Sequence, residues 1–163
     1  MNRAWKFGDN INTDIISPGG SMKKETEDDF GSWAFDPIRP EFGEEVESGD
    51  VIIAGKNFGS GSSRETAVTI LQAKGIDCIV AESVSRAFFR NCINLGLRVY
   101  ICPEASKGIQ DGDEVRVDHH SGAIQNETAG VTYQAEKHPE FINEILEAGG
   151  IEEYHYMLQE TDT

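Results

Sequence analysis

Val51-Ile52-Ile53-Ala54-Gly55-Lys56-Asn57-Phe58-Gly59-Ser60-Gly61-Ser62-Ser63-Arg64-Glu65 decides the fold. The turn signal Ser48-Gly49-Asp50 precedes a four-residue apolar run, which reads as a buried strand. A glycine-rich stretch follows over residues 55–63. Over residues 64–74, Ala67, Val68, Ile70, Leu71 and Ala73 recur at helical spacing, and Gly75 stops the helix. Working outward, residues 76–81 predict a second buried strand. Residues 84–95, with Phe88, Cys92 and Leu95 on one face, predict a second helix ended by Gly96. Residues 97–102 predict a third strand, closed by Pro103. Strand, helix, strand, helix, strand at these spacings predicts an α/β fold: a parallel sheet core with crossover helices.

The flanks differ. Residues 17–49 carry Pro18, Pro37 and Pro40 among acids and glycines, and read as a long excursion with one helical turn. A loop of that length inside a compact domain is usually functional. Beyond Pro103, Asp111-Gly112-Asp113 marks a turn, and Val115 and Val117 alternate with polar neighbours. His119-His120-Ser121-Gly122 reads as an exposed hairpin tip and Val131-Thr132-Tyr133 as a further strand, which together predict a small antiparallel β section. Residues 139–148 predict an amphipathic helix ended by Gly149-Gly150, and a final short helix runs through Tyr154, Met157 and Leu158.

A length of 163 residues argues for a single domain over 1–163. The formal charge of −15, from 14 basic and 29 acidic side chains, disfavours nucleic acid and anionic membrane as partners. The acidic clusters at 25–29 and 41–47 read as solvated surface. No apolar run has the length of a membrane span, and the N-terminus lacks a signal-peptide core, so the expected location is the cytoplasm. Cys78, Cys92 and Cys102 are odd in number and lack Cys-x-x-Cys spacing. Cys78 and Cys102 lie in apolar runs, where a free thiol acts as a small hydrophobe. No metal site is expected on this chain, and the four histidines form no ligand pattern. Trp5, Trp33, Phe88 and Phe89 read as core or subunit interface.

The glycine–serine turn stands where a parallel strand runs into a helix, an edge at which α/β sheets place ligands. Unpaired N–H groups of a helix start suit an anion. Gly59 and Gly61 remove Cβ atoms that would keep a ligand off the backbone. Arg64 offers a planar fork for a carboxylate or phosphate. The competing reading is a capping box, with Ser62 as N-cap and Glu65 three residues on, which needs no ligand. A dinucleotide fingerprint lacks its third glycine, and a P-loop fails because asparagine follows Gly55-Lys56.

This turn resembles the signature of the aconitase swivel domain, above all its free-standing form in the aconitase/isopropylmalate-isomerase family. Trp5-Lys6-Phe7-Gly8-Asp9-Asn10-Ile11-Asn12-Thr13-Asp14 resembles the family's N-terminal segment. Ala81-Glu82-Ser83-Val84-Ser85-Arg86-Ala87-Phe88-Phe89-Arg90-Asn91-Cys92-Ile93-Asn94-Leu95-Gly96-Leu97 resembles a third segment, in the family's order and spacing.

The resemblance implies a swivelling β/β/α domain that serves as the small subunit of a hydro-lyase. It implies a large-subunit partner that holds a [4Fe–4S] cluster on three cysteines, with no cofactor on this chain. By the same resemblance, Ser62 is the catalytic base acting alpha to a carboxylate of a small dicarboxylate, and Arg64 grips a carboxylate. Gly61 and Ser63 join Arg64 in binding substrate. Asp14 and Ser17 match positions near the substrate pocket, though an aspartate bonding turn amides is the favoured reading of Asp14. Arg86 and Arg90, at i, i+4 spacing, read as surface ion-pairing residues, with substrate or intersubunit contact as the alternative. A homo-oligomer is a further expectation for the isolated subunit.

One segment departs from the family. After Thr13-Asp14-Ile15-Ile16, family members continue through proline, a small residue, arginine, tyrosine and leucine. Here the chain reads Ser17-Pro18-Gly19-Gly20-Ser21-Met22-Lys23-Lys24. Residues Gly19, Gly20, Ser21, Met22, Lys23 and Lys24 therefore form the expected substrate-specificity loop. 3-Isopropylmalate is the first expectation and 2,3-dimethylmalate or homoaconitate the alternatives. A non-catalytic carboxylate- or phosphate-binding domain is the reading from a different class.

Overall fold

The computed structural model describes residues 2–19 and 31–161. Four short strands, β1 (Ala4–Lys6), β2 (Val51–Ala54), β3 (Cys78–Ala81) and β4 (Arg98–Ile101), form a parallel sheet in sequential order. Ile52 lies level with Trp5 on one side and Ile79 on the other, and Ile79 lies level with Val99.

Strand side chains alternate between two faces, and here both faces are buried, which is why the strands read as continuous apolar runs. Trp5, Ile52, Ile79 and Val99 join a core with Val68 and Leu71 of α3 (Glu65–Ala73) and with Phe88 and Cys92 of α4 (Arg86–Leu95). Crossovers that keep one hand along a sequentially ordered sheet put both helices on the same face. Ala4, Ile53, Val80 and Tyr100 join a second core on the opposite face. That core includes Ala105 of α5 (Pro103–Gly108), Val115 and Val117 of β5 (Val115–Asp118) and Ile124 of β6 (Ala123–Asn126). β5, β6 and β7 (Val131–Gln134) form an antiparallel sheet. The parallel sheet is thus the middle layer of a β/β/α stack. Each buried Ile or Val of β2 and β3 stabilises by roughly 1.5–3 kcal/mol, so these strands anchor the loops at their ends.

Two elements depart from the sequence expectations. β1 is a strand, paired to β2, where no strand was expected. Pro103 ends β4 and also opens α5, because its fixed φ and missing N–H suit a first helical turn. The excursion is also less loop-like than expected. Of its described part, Ala34, Phe35 and Phe42 are fully buried, with Phe35 stacked on Phe7 at 4.1 Å. Its one regular turn is α2 (Phe42–Glu45). Arg39 ties the segment down with a fork on Asp111 at 2.7 and 3.2 Å. Glu41, Glu44, Glu45 and Glu47 are solvated.

His119 corrects a further expectation. It lies in the β5–β6 turn, but its Nε2 is 3.0 Å from both carboxylate oxygens of Asp77 and its Nδ1 is 2.8 Å from the Tyr100 hydroxyl. The chain ends in α6 (Glu140–Ala148) and α7 (Ile151–Thr161), and Ile145 and Leu146 pack on Ile93 of α4. No helix among the described residues is long and apolar enough to cross a membrane.

Candidate active site

In a parallel sheet every strand's carboxyl end lies on one edge, so the segments after β1, β2 and β3 meet there. Asn12 bridges to Ser60, and Phe58 bridges to Val84. The Gly59 N–H donates to the Ile11 carbonyl at 2.8 Å, and the Thr13 N–H to the Ser60 carbonyl at 2.9 Å. Ser85 caps α4 by accepting from the Phe88 N–H, and its hydroxyl donates to the Gly59 carbonyl at 2.8 Å. Residues 57–60 are therefore sewn to both neighbouring segments.

Gly59 has φ +78°, and a Cβ there would lie 2.2 Å from Phe88 Cγ. Its missing side chain makes room for the Phe88 ring, not for a ligand as its sequence context suggested. Gly61 has φ +95° with nothing closer than 3.5 Å to a built Cβ. There glycine is needed for the backbone alone, since a Cβ would meet Asn12 and Thr13 only at ordinary contact distance.

Gly61, Ser62, Ser63 and Arg64 are all exposed. The backbone N–H groups of these four residues donate to no protein group among the described residues. The buried Thr13 hydroxyl fixes the tip by donating to the Ser62 carbonyl at 3.0 Å. Asn91 of α4 donates from Nδ2 to the Ser63 hydroxyl at 3.2 Å. Arg64 Nη1 lies 3.0 Å from Asp14 Oδ1. That pair is open to solvent, and exposed pairs contribute about 0.2–1 kcal/mol, so a second carboxylate exchanges into it at little cost.

The capping-box reading does not survive. The N-cap of α3 is Arg64, with no side-chain cap hydrogen bond, and Ser62 stands two residues ahead of it. Ser62 is left exposed in the same turn as Arg64, among backbone N–H groups that meet no acceptor among the described residues. The turn-bonding role considered for Asp14 belongs to Asn12, whose Oδ1 accepts from the Ile15 N–H at 2.9 Å at the start of α1 (Thr13–Ile16).

The Aconitase C-terminal domain family model matches residues 39–99, which include this turn. The 3-isopropylmalate dehydratase small subunit 1 of Archaeoglobus fulgidus is 48% identical over 98% of this chain and 99% of its own length. The chain belongs to the aconitase/isopropylmalate-isomerase family, among its small subunits. The isopropylmalate/citramalate isomerase small subunit of Methanocaldococcus jannaschii is 43% identical over 93% of this chain and 90% of its own. A crystal structure of 3-isopropylmalate dehydratase from the same organism superposes with a TM-score of 0.90 at 37% identity, covering 99% of this chain and 98% of that one.

Within this family member, the structure brings Gly61, Ser62, Ser63, Arg64 and Asp14 together. Ser17 follows α1 but is only 4% exposed. Gly19 is exposed. Gly20, Ser21, Met22, Lys23 and Lys24 of the expected specificity loop lie outside the described residues. Thr13, Asn12 and Asn91 were not singled out from sequence. Thr13 and Asn91 act on residues far away in the chain, which periodicity cannot register, whereas Asn12 caps the short helix that follows it. Arg86 and Arg90 form no ion pair among the described residues, so the surface pairing expected for them is absent.

The cysteines do not converge. Cys78 and Cys102 lie in the core on the antiparallel-sheet side and Cys92 in the core on the helical side, all free and buried. Burial pushes the thiols of Cys78 and Cys92 well up, which disfavours the thiolate that a metal needs. Among the described residues no group of three His, Cys, Asp or Glu side chains could hold a metal. These residues do not fit an iron–sulfur cluster.

Proposed function

We propose that this chain is one half of a hydro-lyase active site, acting on a substituted malate, with 3-isopropylmalate to 2-isopropylmalate as its reaction. The observation that carries this reading is the exposed turn of Gly61, Ser62, Ser63 and Arg64, whose four backbone N–H groups meet no acceptor among the described residues. In this reading Ser62 takes the proton alpha to a substrate carboxylate as water is lost, and returns a proton as water is added back at the neighbouring carbon. A serine hydroxyl is a weak base, so its alkoxide needs a fixed field of donors. Free N–H groups at residues 61–64 and the Arg64 guanidinium are suited to that role. Arg64 exchanges Asp14 for a substrate carboxylate, and Gly61 and Ser63 line the same contact. Asp14 keeps the guanidinium aimed until substrate arrives. Ser17 and the loop from Gly19 to Lys24 complete the pocket and select the substituent.

A [4Fe–4S] cluster belongs, in this reading, to a large-subunit partner, and this chain supplies no ligand to it. The chain works as a single swivel domain over residues 1–163 in the cytoplasm, and self-associates only when its partner is absent.

A second reading keeps the chemistry and changes the substrate to a methyl-substituted malate, such as citramalate or 2,3-dimethylmalate. Two observations favour it: the departure at Ser17-Pro18-Gly19-Gly20-Ser21-Met22, and a relative named for both isopropylmalate and citramalate. The test is anaerobic reconstitution with the large subunit and a panel of substituted malates. The first reading expects the highest kcat/KM on 3-isopropylmalate. A higher value on a methyl malate selects the second, and turnover by the isolated chain overturns the division of labour.

A further inference from the structure

Arg86 and Arg90 stand one turn apart on α4, on the same helix face and exposed. Neither meets a carboxylate among the described residues, although the chain carries 29 acidic side chains. Arg3, Arg39, Arg64 and Arg116 each have one. The two arginines rim a groove of about 410 Å³ lined by Ser83, Val84, Arg86, Phe89, Arg90 and Ile101. Its floor is apolar, and Ile101 at the end of β4 is 41% exposed.

The groove adjoins the active-site turn. Val84 bridges to Phe58, and the Ser83 hydroxyl accepts from the Asn57 N–H at 2.8 Å. Asn91, the residue after Arg90 on α4, reaches the turn itself. We propose that this groove is a docking site for an acidic segment of the large subunit. An apolar side chain of that segment covers Ile101 and Phe89, and carboxylates beside it pair with Arg86 and Arg90.

The physical case is complementarity. Exposed arginines gain little in water, but a partner that desolvates them with carboxylates gains strong, geometrically specific hydrogen bonds. Arginine beside an aromatic side chain is the composition of an interface anchor. A second copy of this chain is the competing occupant, and the homodimer arm of the test separates it from the large subunit. A small dicarboxylate leaves the apolar floor uncovered. The proposal rests on the reading of this chain as a small subunit with a large partner.

The test measures the Kd between the intact chain and purified large subunit by calorimetry. It compares wild type, the Arg86→Glu/Arg90→Glu pair, a milder Arg86→Gln/Arg90→Gln pair and an Arg86→Lys/Arg90→Lys pair, with melting temperature as the folding control. Charge reversal should weaken binding at least about tenfold and the glutamine pair by less, with the lysine pair close to wild type. KM measured at saturating large subunit should stay unchanged. Wild-type Kd in both the glutamate and glutamine pairs overturns the docking site, and a raised KM with unchanged Kd assigns the arginines to substrate instead. A homodimer lost on charge reversal, with large-subunit binding intact, also overturns it. Wild type that fails to bind the large subunit at all overturns the small-subunit reading itself, a result distinct from the others.

Discussion

Gly59 and Gly61 sit two residues apart in one turn, both at positive φ, yet a Cβ at Gly59 would collide with Phe88 while one at Gly61 would make only ordinary contacts with Asn12 and Thr13. The difference extends to their neighbours. Residues 57–60 are bonded to the segments after β1 and β3 and pack on the Phe88 ring. Residues 61–64 are exposed, and their amides donate to no protein group among the described residues. One half of the turn is frame and the other is presentation. A rigid first half is what lets an exposed second half hold a fixed geometry without being buried.

Substitutions that separate the halves can break this contrast. Gly59→Ala combines left-handed strain of about 1–3 kcal/mol with overpacking of about 1–3 kcal/mol, so a loss of roughly 3 kcal/mol in chemical denaturation is expected. A loss below about 1 kcal/mol would show that Phe88 does not dictate this glycine. Gly61→Ala meets only the strain, about 1–2 kcal/mol. Equal losses at the two glycines would erase the distinction. Arg64→Lys keeps the charge but loses the fork, and should raise substrate KM about tenfold, or roughly 1.4 kcal/mol, with melting temperature unchanged. An unchanged KM with lowered stability would make Arg64 part of the frame. Thr13→Val is close to isosteric and removes the hydroxyl donor to the Ser62 carbonyl, at about 0.5–1.5 kcal/mol. Its loss should appear in kcat more than in stability, and a purely structural loss would move Thr13's contribution to the frame.

The middle of the chain was legible because its strands are buried on both faces and its helices carry one apolar face. Val51–Ala54 and Glu65–Ala73 follow directly from those patterns. β1 is three residues long, too short for a period to show. α5 was hidden because Pro103 serves as both stop and start. In the site, Ser62 and Arg64 were marked by the glycine–serine motif, and the pattern Ser62-x-x-Glu65 misled. The spacing of a capping box is local, whereas the tip is held by Thr13 and Asn91 from other segments, and α3 starts only after Arg64. The pairing of Asp14 with Arg64 is likewise a product of the fold, since a parallel sheet brings the ends of β1 and β2 to one edge.

The base assignment of Ser62 is tested most directly by kcat of Ser62→Ala in the enzyme reconstituted with its large subunit. A fall of at least about a thousandfold is expected, roughly 4 kcal/mol of transition-state stabilisation, with subunit affinity and melting temperature at wild-type values. A kcat within about tenfold of wild type would contradict it, leaving the exposed hydroxyl a surface group beside an arginine.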